Sequence, residues 1–511
     1  MSSINFDDIE NAINDIASWW IALSKDTSKR HKKGFLRDPI YGYHELSACE
    51  YMLLDSPPLQ RLRHISQLGF GSIVYPGANH TRFEHSIGVA SVASRIIKTL
   101  KKKHETVEPI LKIEDNEIWT TKIAGYLHDI GHLPFSHAGE SIFKALDFPK
   151  IIKEHYKIEA NCPPHELFSY MMANTEYIKE IIENVSKKIN ITLDSIQISK
   201  TILGIHTGEK RYISEIIHGE TDADRIDYLI RDAYYTGVPH GKVDIDHLAR
   251  SFCAIKKSKQ IWLAIEERGL EAVEALYSSR DLMYPTVYLH HTCRIAETML
   301  THLLYRAHKT GKFNLLDLLK MNDQQLLSEL AKKGYEKTVN DLQYRRIHKR
   351  LLVIRRRDIF CKEKPIDEQE NDETIEHLND LNEFFASWNK LVEFEKELIS
   401  NSTVAGLKED SILISVPKKF IVFPKKIEDL SMEKYLPVKL RQGGDDMICN
   451  LSPIIQAIET LSASLRSSVI VAVDASIKNE DRKILVNEFK KKFEEKFNLS
   501  IREEAFFGQK G

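Results

Sequence analysis

The chain has 511 residues, of which 42% are hydrophobic and 29% are charged, and its formal net charge is −2. This length and composition are typical of a soluble globular protein with a large core and more than one domain. The near-neutral charge gives no overall basic field of the kind that marks nucleic-acid-binding proteins, and no apolar run is long enough to span a membrane.

The N-terminal segment and the cysteines indicate the compartment. Residues 5–21 are acidic and amphipathic, which predicts a helix rather than a signal peptide. The six cysteines are widely spaced and form no CxxC pair, which argues against a zinc ribbon and favours a reducing environment. We therefore expect a cytoplasmic protein that does not associate with membranes.

Two histidines and two aspartates, far apart in the sequence, form a mixed nitrogen and oxygen ligand set. They are His85, the adjacent pair His128 and Asp129, and Asp224. Such a set suits a divalent metal that polarises a phosphoryl oxygen and activates water. The residue types leave the metal open among Mg, Mn, Fe, Co, Ni and Zn.

Each of these residues also has an ordinary alternative role. A single histidine beside apolar residues is often a hydrogen-bonded core residue, and an aspartate near a helix start is a common cap. The pair His128 and Asp129 carries more weight because it ends the apolar stretch 123–127. Ionisable groups there are costly to bury unless they are paired or bound to a metal.

The segment around Asp224 predicts a helix with one polar face. Asp224, Tyr228 and Asp232 are spaced i, i+4 and i+8, so all three lie on the same side of such a helix. The apolar residues between them are expected to pack into the core.

A longer helical stretch is predicted from about residue 270 to residue 307. It carries Arg280 and Tyr288 at i and i+8. Pro285 lies between them and is expected to kink or split the helix, which leaves their shared face open. A salt bridge on the helix surface is the alternative role for Arg280.

Strand patterns are short and mostly C-terminal. Residues 260–265 predict one strand, and the β-branched stretches 411–423 and 468–474 predict others. The sequence therefore predicts a mainly α fold, with a helical core and a smaller mixed α/β lobe. We divide the chain into an N-terminal helical extension (1–34), a central helical domain (35–310) and a C-terminal α/β lobe for assembly or regulation (311–511).

The metal-ligand candidates resemble the H…HD…D signature of the HD-domain superfamily. The segments 75–89, 128–137 and 224–232 resemble those of deoxynucleoside triphosphate triphosphohydrolases, most closely the sterile-alpha-motif/HD-domain dNTPase branch. The resemblance runs from about residue 38 to about residue 307 and continues more weakly to about residue 474. No sterile-alpha-motif region is expected, because only about 35 residues precede it.

The resemblance implies hydrolysis of dNTPs at the α-phosphorus, with release of deoxynucleoside and tripolyphosphate. It also implies a helical HD domain at 35–310 and one divalent metal held by His85, His128, Asp129 and Asp224. In that family a histidine acid protonates the leaving 5′ oxygen, and the residue in this position is His137.

The resemblance assigns further residues around the metal. The implied catalytic set is His137, Glu140, His165, His132 and Arg82. The implied substrate-binding set is Gln67, Leu68, Arg225, Tyr228, Asp232, Arg280 and Tyr288. Three members of the catalytic set have alternatives: His137 as a residue that caps or packs at a helix start, His132 as a turn-stabilising residue, and Arg82 as the partner of Glu84 in a surface ion pair.

Members of this branch are activated by nucleotide bound between subunits. Asp55, Gln60 and Arg63 match the residues that bind guanine there, since a carboxylate can accept from guanine N–H groups and an arginine can stack or donate to O6. A lysine that binds the activator triphosphate is replaced by Gly34. The resemblance thus implies activation by GTP or dNTP and a homo-oligomer, dimer or tetramer; ordinary helix-surface residues are the alternative.

Two other functions stay open. One is an HD phosphodiesterase or nuclease acting on cyclic or oligomeric nucleotides, with the basic stretch 345–357 as a nucleic-acid groove or an oligomer interface. The other is a nucleotide-sensing regulatory protein. The intact ligand set argues against the sensor, and the sugar-side residues Gln67, Tyr228 and Tyr288 favour the dNTPase over the nuclease.

Overall fold

The structure is a computed structural model. The residues that it describes are 4–24, 32–106, 111–159, 162–206, 208–241, 243–257, 259–361, 364–365, 372–417, 436–458 and 468–502.

Helices make up most of the described chain, as the sequence predicts. In chain order they are α1 (Phe6–Ser24), α2 (Ala48–Leu54), α3 (Pro57–Arg61), α4 (Arg82–Thr106), α5 (Asp115–Leu127), α6 (His137–Ala145), α7 (Phe148–Tyr156), α8 (Pro164–Ala173), α9 (Glu176–Ile189), α10 (Ser195–Ile202), α11 (Tyr212–Ile217), α12 (Ala223–Thr236), α13 (Ile245–Ser251), α14 (Leu270–Met283), α15 (His291–Lys309), α16 (Asp323–Leu330), α17 (Glu336–Gln343), α18 (Asp372–Ala386), α19 (Trp388–Asn401), α20 (Ile448–Leu451) and α21 (Asn479–Phe497). Among the helices of the described residues, none has both the length and the apolarity needed to cross a bilayer.

The strands are short, and the longest have seven residues. They are β1 (Gly34–Asp38), β2 (Gly42–Leu46), β3 (Phe252–Lys257), β4 (Gln260–Glu266), β5 (Lys349–Arg355), β6 (Ile359–Cys361), β7 (Lys364–Pro365), β8 (Ile412–Ser415), β9 (Pro437–Lys439), β10 (Asp445–Met447), β11 (Ser468–Val473) and β12 (Ser500–Ile501).

The chain divides into two compact units that interleave along the sequence. The first comprises Met1–Met283, Asn314–Ser328 and Ser431–Gln456, and the second comprises Tyr284–Phe313, Glu329–Leu430 and Ala457–Gly511. The division of the chain at residues 34 and 310 stays a prediction.

The first unit combines a helical bundle with two small sheets. The hairpin β1–β2 is antiparallel and pairs Gly34 with Leu46. The second sheet has the order β10-β9-β4-β3, in which β4 and β9 run parallel and the other pairs are antiparallel. Helix α4 packs against α5 and α12 at the centre of this unit, and this packing brings together the segments that carry the metal-ligand candidates.

A glycine allows the central helices α4 and α5 to approach closely. A Cβ atom on Gly125 would lie 2.9 Å from Cα of Ala90, so the backbones cross with no side chain between them. His85 lies near the start of α4, and His128 follows the last residue of α5. The close crossing therefore sets the distance between these two histidines.

Caps fix the start of the helix that carries Asp224. The carboxylate of Asp222 accepts a hydrogen bond from the backbone N–H of Arg225 at 2.7 Å, and α12 ends at Gly237 with a φ of 74°. Asp224 consequently lies in the first turn of α12, and Asp227 lies one turn further along.

The second unit combines helices with two three-stranded antiparallel sheets, β5-β11-β8 and β12-β6-β7. Its core contains strand residues of β5, β8 and β11 and aromatic side chains of α18, α19 and α21, among them Phe384, Phe394 and Phe489. This is the smaller mixed α/β region that the β-branched stretches predict.

Most predicted elements are confirmed, and one predicted strand is shorter in the structure. The strand at 260–265 is β4, and 468–474 contains β11. Within 411–423 the strand is β8, while residues 418–423 of that prediction lie outside the described residues.

The predicted break at Pro285 is also present. Helix α14 ends at Met283, a five-residue π-helical turn covers Tyr284–Tyr288, and α15 begins at His291.

Candidate active site

Three side chains converge at one point in the first unit, and we call them the metal-ligand centre: His85, His128 and Asp224. Nε2 of His85 lies 2.9 Å from Oδ1 of Asp224 and 3.3 Å from Nε2 of His128. Nε2 of His128 lies 3.8 Å from the same oxygen of Asp224. The three ligand atoms therefore face one another within the span of a single cation's coordination shell.

The opposite nitrogen of each ring is held by a fixed partner. Nδ1 of His85 lies 2.8 Å from Oδ2 of Asp227, and Nδ1 of His128 lies 2.8 Å from the backbone oxygen of Gly125. Ligating histidines in metalloproteins have this kind of carboxylate or carbonyl partner, which orients the free nitrogen. These contacts of the two Nδ1 atoms thus direct both Nε2 atoms toward Asp224.

The charge of the centre fits a cation. Burial lowers the pKa of His85, but hydrogen bonds to Asp224 and Asp227 outweigh it and raise the pKa to about 10. Desolvation raises the pKa of Asp224, whose side chain is 38% exposed, but His85 and His128 outweigh this effect and hold the pKa below its usual range. The ionised Asp224 carboxylate fits a bound cation, and the donor set of two imidazoles and a carboxylate suits a divalent metal.

Asp129 lies beside the centre with its carboxylate already engaged. One oxygen is 2.9 Å from Nη1 of Arg82, and the other is 3.2 Å from Nε2 of His132 and 3.3 Å from Nε2 of His128. Burial raises the pKa of Asp129, but the interactions with His128, Arg82 and His132 outweigh it and keep the pKa well below the usual range. Its role as a fourth metal ligand stays a prediction.

A second cluster adjoins the first through His132, and we call it the Glu140 cluster: His132, His137, Glu140 and His165. The buried carboxylate of Glu140 lies 2.7 Å from Nδ1 of His132, 3.1 Å from Nδ1 of His165 and 3.4 Å from Nδ1 of His137. The rings of His132 and His165 stack with centroids 4.0 Å apart. By ligand spacing this cluster could also hold a metal ion.

Exposure and pKa differ within the Glu140 cluster. Burial lowers the pKa of His165 to about 4. The pKa of Glu140 is well below its usual range because the surrounding histidines, His165 foremost, outweigh its burial. The side chain of His137 is 50% exposed, so its ring can exchange protons with solvent or substrate while it stays beside an ionised carboxylate.

An unusual turn places His137 at the start of α6. Phe135 and Ser136 have φ values of 57° and 53°, a left-handed conformation that non-glycine residues rarely adopt. The turn is held in place because Oγ of Ser136 donates to the backbone oxygen of Ser66 at 2.6 Å and accepts from Nε of Arg82 at 2.9 Å. Such strain often occurs at functional sites.

Arg82 is buried and binds Asp129, Ser136 and the backbone oxygen of Gln67. The alternative of a surface ion pair with Glu84 is therefore wrong, because Glu84 instead accepts hydrogen bonds from Thr81. A contact between Arg82 and a substrate phosphate stays a prediction.

Four predicted substrate residues lie on two segments of the first unit. Tyr228 and Asp232 follow Asp224 along α12, as their spacing predicts, and Asp232 lies 2.8 Å from Nε2 of His80. Gln67 is buried beside Arg82, and within the described residues its Oε1 atom has no hydrogen-bond partner. Leu68 follows Gln67 and is half-buried.

The structure does not test the roles of three other predicted substrate residues, Arg225, Arg280 and Tyr288. Arg225 binds the backbone oxygen of Gly219 and lies 3.2 Å from the Glu220 carboxylate. Arg280 lies on α14 in the first unit, whereas Tyr288 belongs to the π-helical turn in the second unit. Their roles stay predictions.

The predicted activator residues form a compact surface group. Nε of Arg63 donates to Oε1 of Gln60 at 3.0 Å, and the guanidinium lies over the Phe83 ring at 3.6 Å. Nε2 of Gln60 donates to the backbone oxygen of Leu54, and Asp55 is exposed at the end of α2. Nucleotide binding by this group stays a prediction.

A buried network behind His85 was not predicted from the sequence. Asp227 pairs with Arg231 through both oxygens at 2.9 and 3.0 Å and accepts from the Tyr41 hydroxyl at 2.7 Å, while Arg231 also binds Asp38 at 2.8 Å. A Cβ atom on Gly88 would overlap the Asp227 carboxylate. Helical spacing is the sequence pattern that could have indicated this network, since Asp227 and Arg231 follow Asp224 by about one and two turns.

Two family models match the chain. The model of the HD domain matches residues 82–232, which contain the metal-ligand centre and the Glu140 cluster, and a model described as the HD associated region matches residues 243–383.

Curated relatives share the same part of the chain. An uncharacterized protein of Methanocaldococcus jannaschii is 33% identical over 58% of this chain and 54% of its own length. The uncharacterized protein YwfO of Bacillus subtilis is 32% identical over 56% of this chain and 58% of its own length. The deoxynucleoside triphosphate triphosphohydrolase SAMHD1 of Bos taurus is 30% identical over 53% of this chain and 47% of its own length. The chain thus spans about half the length of the curated relatives it matches.

Proposed function

Because the chain carries an HD domain at residues 82–232, followed by an HD associated region, we propose that it is a metal-dependent phosphohydrolase that cleaves dNTPs to deoxynucleoside and tripolyphosphate. One observation carries the proposal: His85, His128 and Asp224 converge beside a histidine cluster organised around a buried carboxylate. The similarity to SAMHD1 of Bos taurus, a deoxynucleoside triphosphate triphosphohydrolase, supports the choice of dNTP as substrate.

The metal-ligand centre would hold the metal. A divalent metal bound there would polarise an α-phosphate oxygen and lower the pKa of a bound water. The chain's contribution is rigidity, because Asp227 and the Gly125 carbonyl fix the two imidazoles before substrate arrives.

His137 supplies the proton in the proposed reaction. The oxygen of water forms a bond to the α-phosphorus while the bond from phosphorus to the 5′ oxygen breaks, and the 5′ oxygen takes a proton from Nε2 of His137. Its Nδ1 faces the ionised Glu140 carboxylate, which stabilises the protonated ring. The attacking water releases one proton, and His137 takes up one proton after the reaction. The enzyme therefore returns to its starting protonation state.

Arg82 and Gln67 position the substrate in this proposal. Arg82 already fixes Asp129 and the turn that leads to His137, so a phosphate contact would align substrate and acid together. The unpartnered Oε1 of buried Gln67 can accept a hydrogen bond from a sugar hydroxyl, which would satisfy an otherwise costly group. Tyr228 and Asp232 extend the same side of the site along α12.

The function is tested by product analysis. Purified protein is incubated with each dNTP and rNTP in the presence of Mg, Mn or Co, and tripolyphosphate and deoxynucleoside are measured. The proposal predicts tripolyphosphate from dNTPs and its loss in Asp224→Asn, whereas the exposed control Asp115→Asn keeps full activity. Tripolyphosphate that persists in Asp224→Asn would reject the site, and cleavage of RNA or cyclic dinucleotides without tripolyphosphate would favour the nuclease.

Activation by nucleotide is the finer part of the proposal. We expect GTP to raise the rate through Asp55, Gln60 and Arg63, with subunits assembling around the bound nucleotide. Arg63→Ala should remove the stimulation and leave basal turnover unchanged, because Arg63 contacts Gln60 and Phe83 rather than the centre. A rate that is indifferent to GTP and linear in enzyme concentration would contradict this role.

A further inference from the structure

An open cleft of about 740 Å³ lies in the first unit. It includes none of the residues predicted to bind metal, substrate or activator, and its volume is typical of a small-molecule site. β2 and helices α2, α4, α5 and α13 supply its walls. Among the lining residues are Tyr43, Glu45, Glu50, Ser91, Ser94 and Arg250.

One wall of the cleft is a row of cations on α4. Arg95, Lys98 and Lys102 are spaced i, i+3 and i+7, so they share a helix face and extend over about 10 Å along the axis. Lys122 on α5 and Arg250 on α13 add two further positive charges. Since the whole chain has a net charge of −2, this concentration of positive charge is local.

The two carboxylates of the cleft are already engaged. Glu50 accepts hydrogen bonds from the backbone and hydroxyl of Ser47, each at 2.8 Å, and it also pairs with Lys122 and Tyr126. Glu45 pairs with Lys33. The remaining cations of the cleft are therefore not neutralised by its own acidic residues.

Three cations of the cleft, Arg95, Lys98 and Arg250, have at most one exposed ion pair among the described residues. Arg95 lies 2.7 Å from Asp246, but the two side chains are 43% and 70% exposed, so this ion pair contributes little and can exchange. Lys98 and Arg250 are exposed, and neither forms an ion pair within the part of the chain that the structure describes. A row of such charges along low-dielectric walls attracts anions.

An aromatic rim closes one side of the cleft. Tyr43 is 69% exposed and packs edge-on against Phe35, with ring centroids 6.5 Å apart. The guanidinium of Arg37 lies 5.3 Å from the centre of the Tyr43 ring. An exposed aromatic ring beside a basic groove provides a stacking surface for a base next to a binding surface for phosphates.

We propose that this cleft binds a linear polyphosphate chain, either free or attached to a nucleoside. A single phosphate could contact only part of a row about 10 Å long, whereas several linked phosphates can contact Arg95, Lys98 and Lys102 together. Ser91 and Ser94 also line the cleft, and serine hydroxyls can donate to phosphate oxygens. The inference does not depend on the proposed hydrolysis, because binding is measured without turnover.

Lysine footprinting on the full-length protein tests the site directly. Acetylation rates of individual lysines are measured by mass spectrometry with and without inorganic tripolyphosphate. We expect protection of Lys98 and Lys102 and no change at Lys101, which is their neighbour on α4 but pairs with Asp115 outside the cleft. Unchanged rates at Lys98 and Lys102 under saturating tripolyphosphate would overturn the proposal, as would equal protection by inorganic phosphate.

A charge-reversal pair provides the second measurement. The double variant Lys98→Glu with Arg250→Glu should weaken tripolyphosphate binding by about tenfold or more, or about 1.4 kcal/mol, and Lys101→Glu should not weaken it. Both substituted side chains of the double variant are exposed, so folding is preserved. Equal affinity of the double variant and the wild type would reject the cleft as the binding site.

A comparison of ATP with tripolyphosphate distinguishes a nucleotide ligand from free polyphosphate. If ATP binds more tightly than tripolyphosphate and Tyr43→Ala removes the difference, the ligand is a nucleotide. If the two affinities match and Tyr43→Ala has no effect, the ligand is free polyphosphate. Protection of Lys98 by a single-stranded oligonucleotide but not by tripolyphosphate or ATP would replace the proposal with a nucleic-acid groove.

Discussion

The metal-ligand centre and the Glu140 cluster contain the same residue types but fix them to different degrees. In the centre, His85 is fully buried and both of its nitrogens have carboxylate partners within 3 Å. In the Glu140 cluster three histidines surround one carboxylate, at distances from 2.7 to 3.4 Å, and His137 is half exposed.

The same residue types can therefore serve two purposes, depending on how firmly their side chains are held. Imidazoles held by fixed second partners are organised to bind a cation in a defined geometry. An exposed imidazole beside an ionised carboxylate is organised to hold and release a proton. Four predictions test this division, in order of decreasing effect.

The first prediction concerns the proton donor. His137→Gln should lower kcat by about 10²–10⁴-fold, because the leaving 5′ oxygen loses its acid, and manganese affinity should stay unchanged. Turnover and metal titration are measured on the same preparation, with the exposed His247→Gln as control. A parallel loss of metal binding and turnover would place His137 among the metal ligands. The functional difference between the metal-ligand centre and the Glu140 cluster would then be wrong.

The second prediction concerns the buried support of the centre. Arg231→Met removes the guanidinium that pairs with both Asp227 and Asp38, two buried carboxylates. The free energy of unfolding should fall by about 3–5 kcal/mol. Arg95→Met, which breaks an exposed pair, should cost less than about 1 kcal/mol. Urea denaturation measures both, and equal costs would show that the Arg231 network does not stabilise the centre.

The third prediction concerns the orienting carboxylate. Asp227→Asn should weaken metal binding by about 10–100-fold, since His85 loses the partner that orients its ring. Tyr41→Phe removes a different hydrogen bond to the same carboxylate and should leave the affinity nearly unchanged. Calorimetric titration with manganese compares the two, and similar affinities for Asp227→Asn and the wild type would contradict the orienting role.

The fourth prediction is a pH dependence of stability. Burial lowers the pKa of His165 from 6.5 to about 4. Between these values the unfolded chain binds a proton that the folded chain excludes, so stability falls as the pH falls through this window. His165→Gln should flatten that part of the curve, measured by urea denaturation. The same slope in the variant would show that His165 is not buried in its neutral form.

The sequence predicted the residues that converge but not the network that holds them. Helical spacing and the apolar stretch before His128 identify the metal-ligand centre, and the periodicity of residues 224–232 gives α12. Asp227 and Arg231 were missed because a buried ion pair is identified by its partners in space, and Asp38 and Tyr41 come from a distant hairpin.

Other features depend on tertiary structure alone. The left-handed turn at Phe135 and Ser136 is held by Ser66 and Arg82 from another segment, so local propensity does not indicate it. The basic cleft likewise combines residues of α4, α5 and α13 whose charges appear as ordinary surface residues in the sequence.

The most direct test of the account is the position of the metal. Anomalous diffraction from a manganese-soaked crystal locates the ion without reference to activity. The account predicts a peak within bonding distance of His85, His128 and Asp224, and no peak in the Glu140 cluster. A peak among His132, His137, Glu140 and His165, with the metal-ligand centre empty, would contradict it.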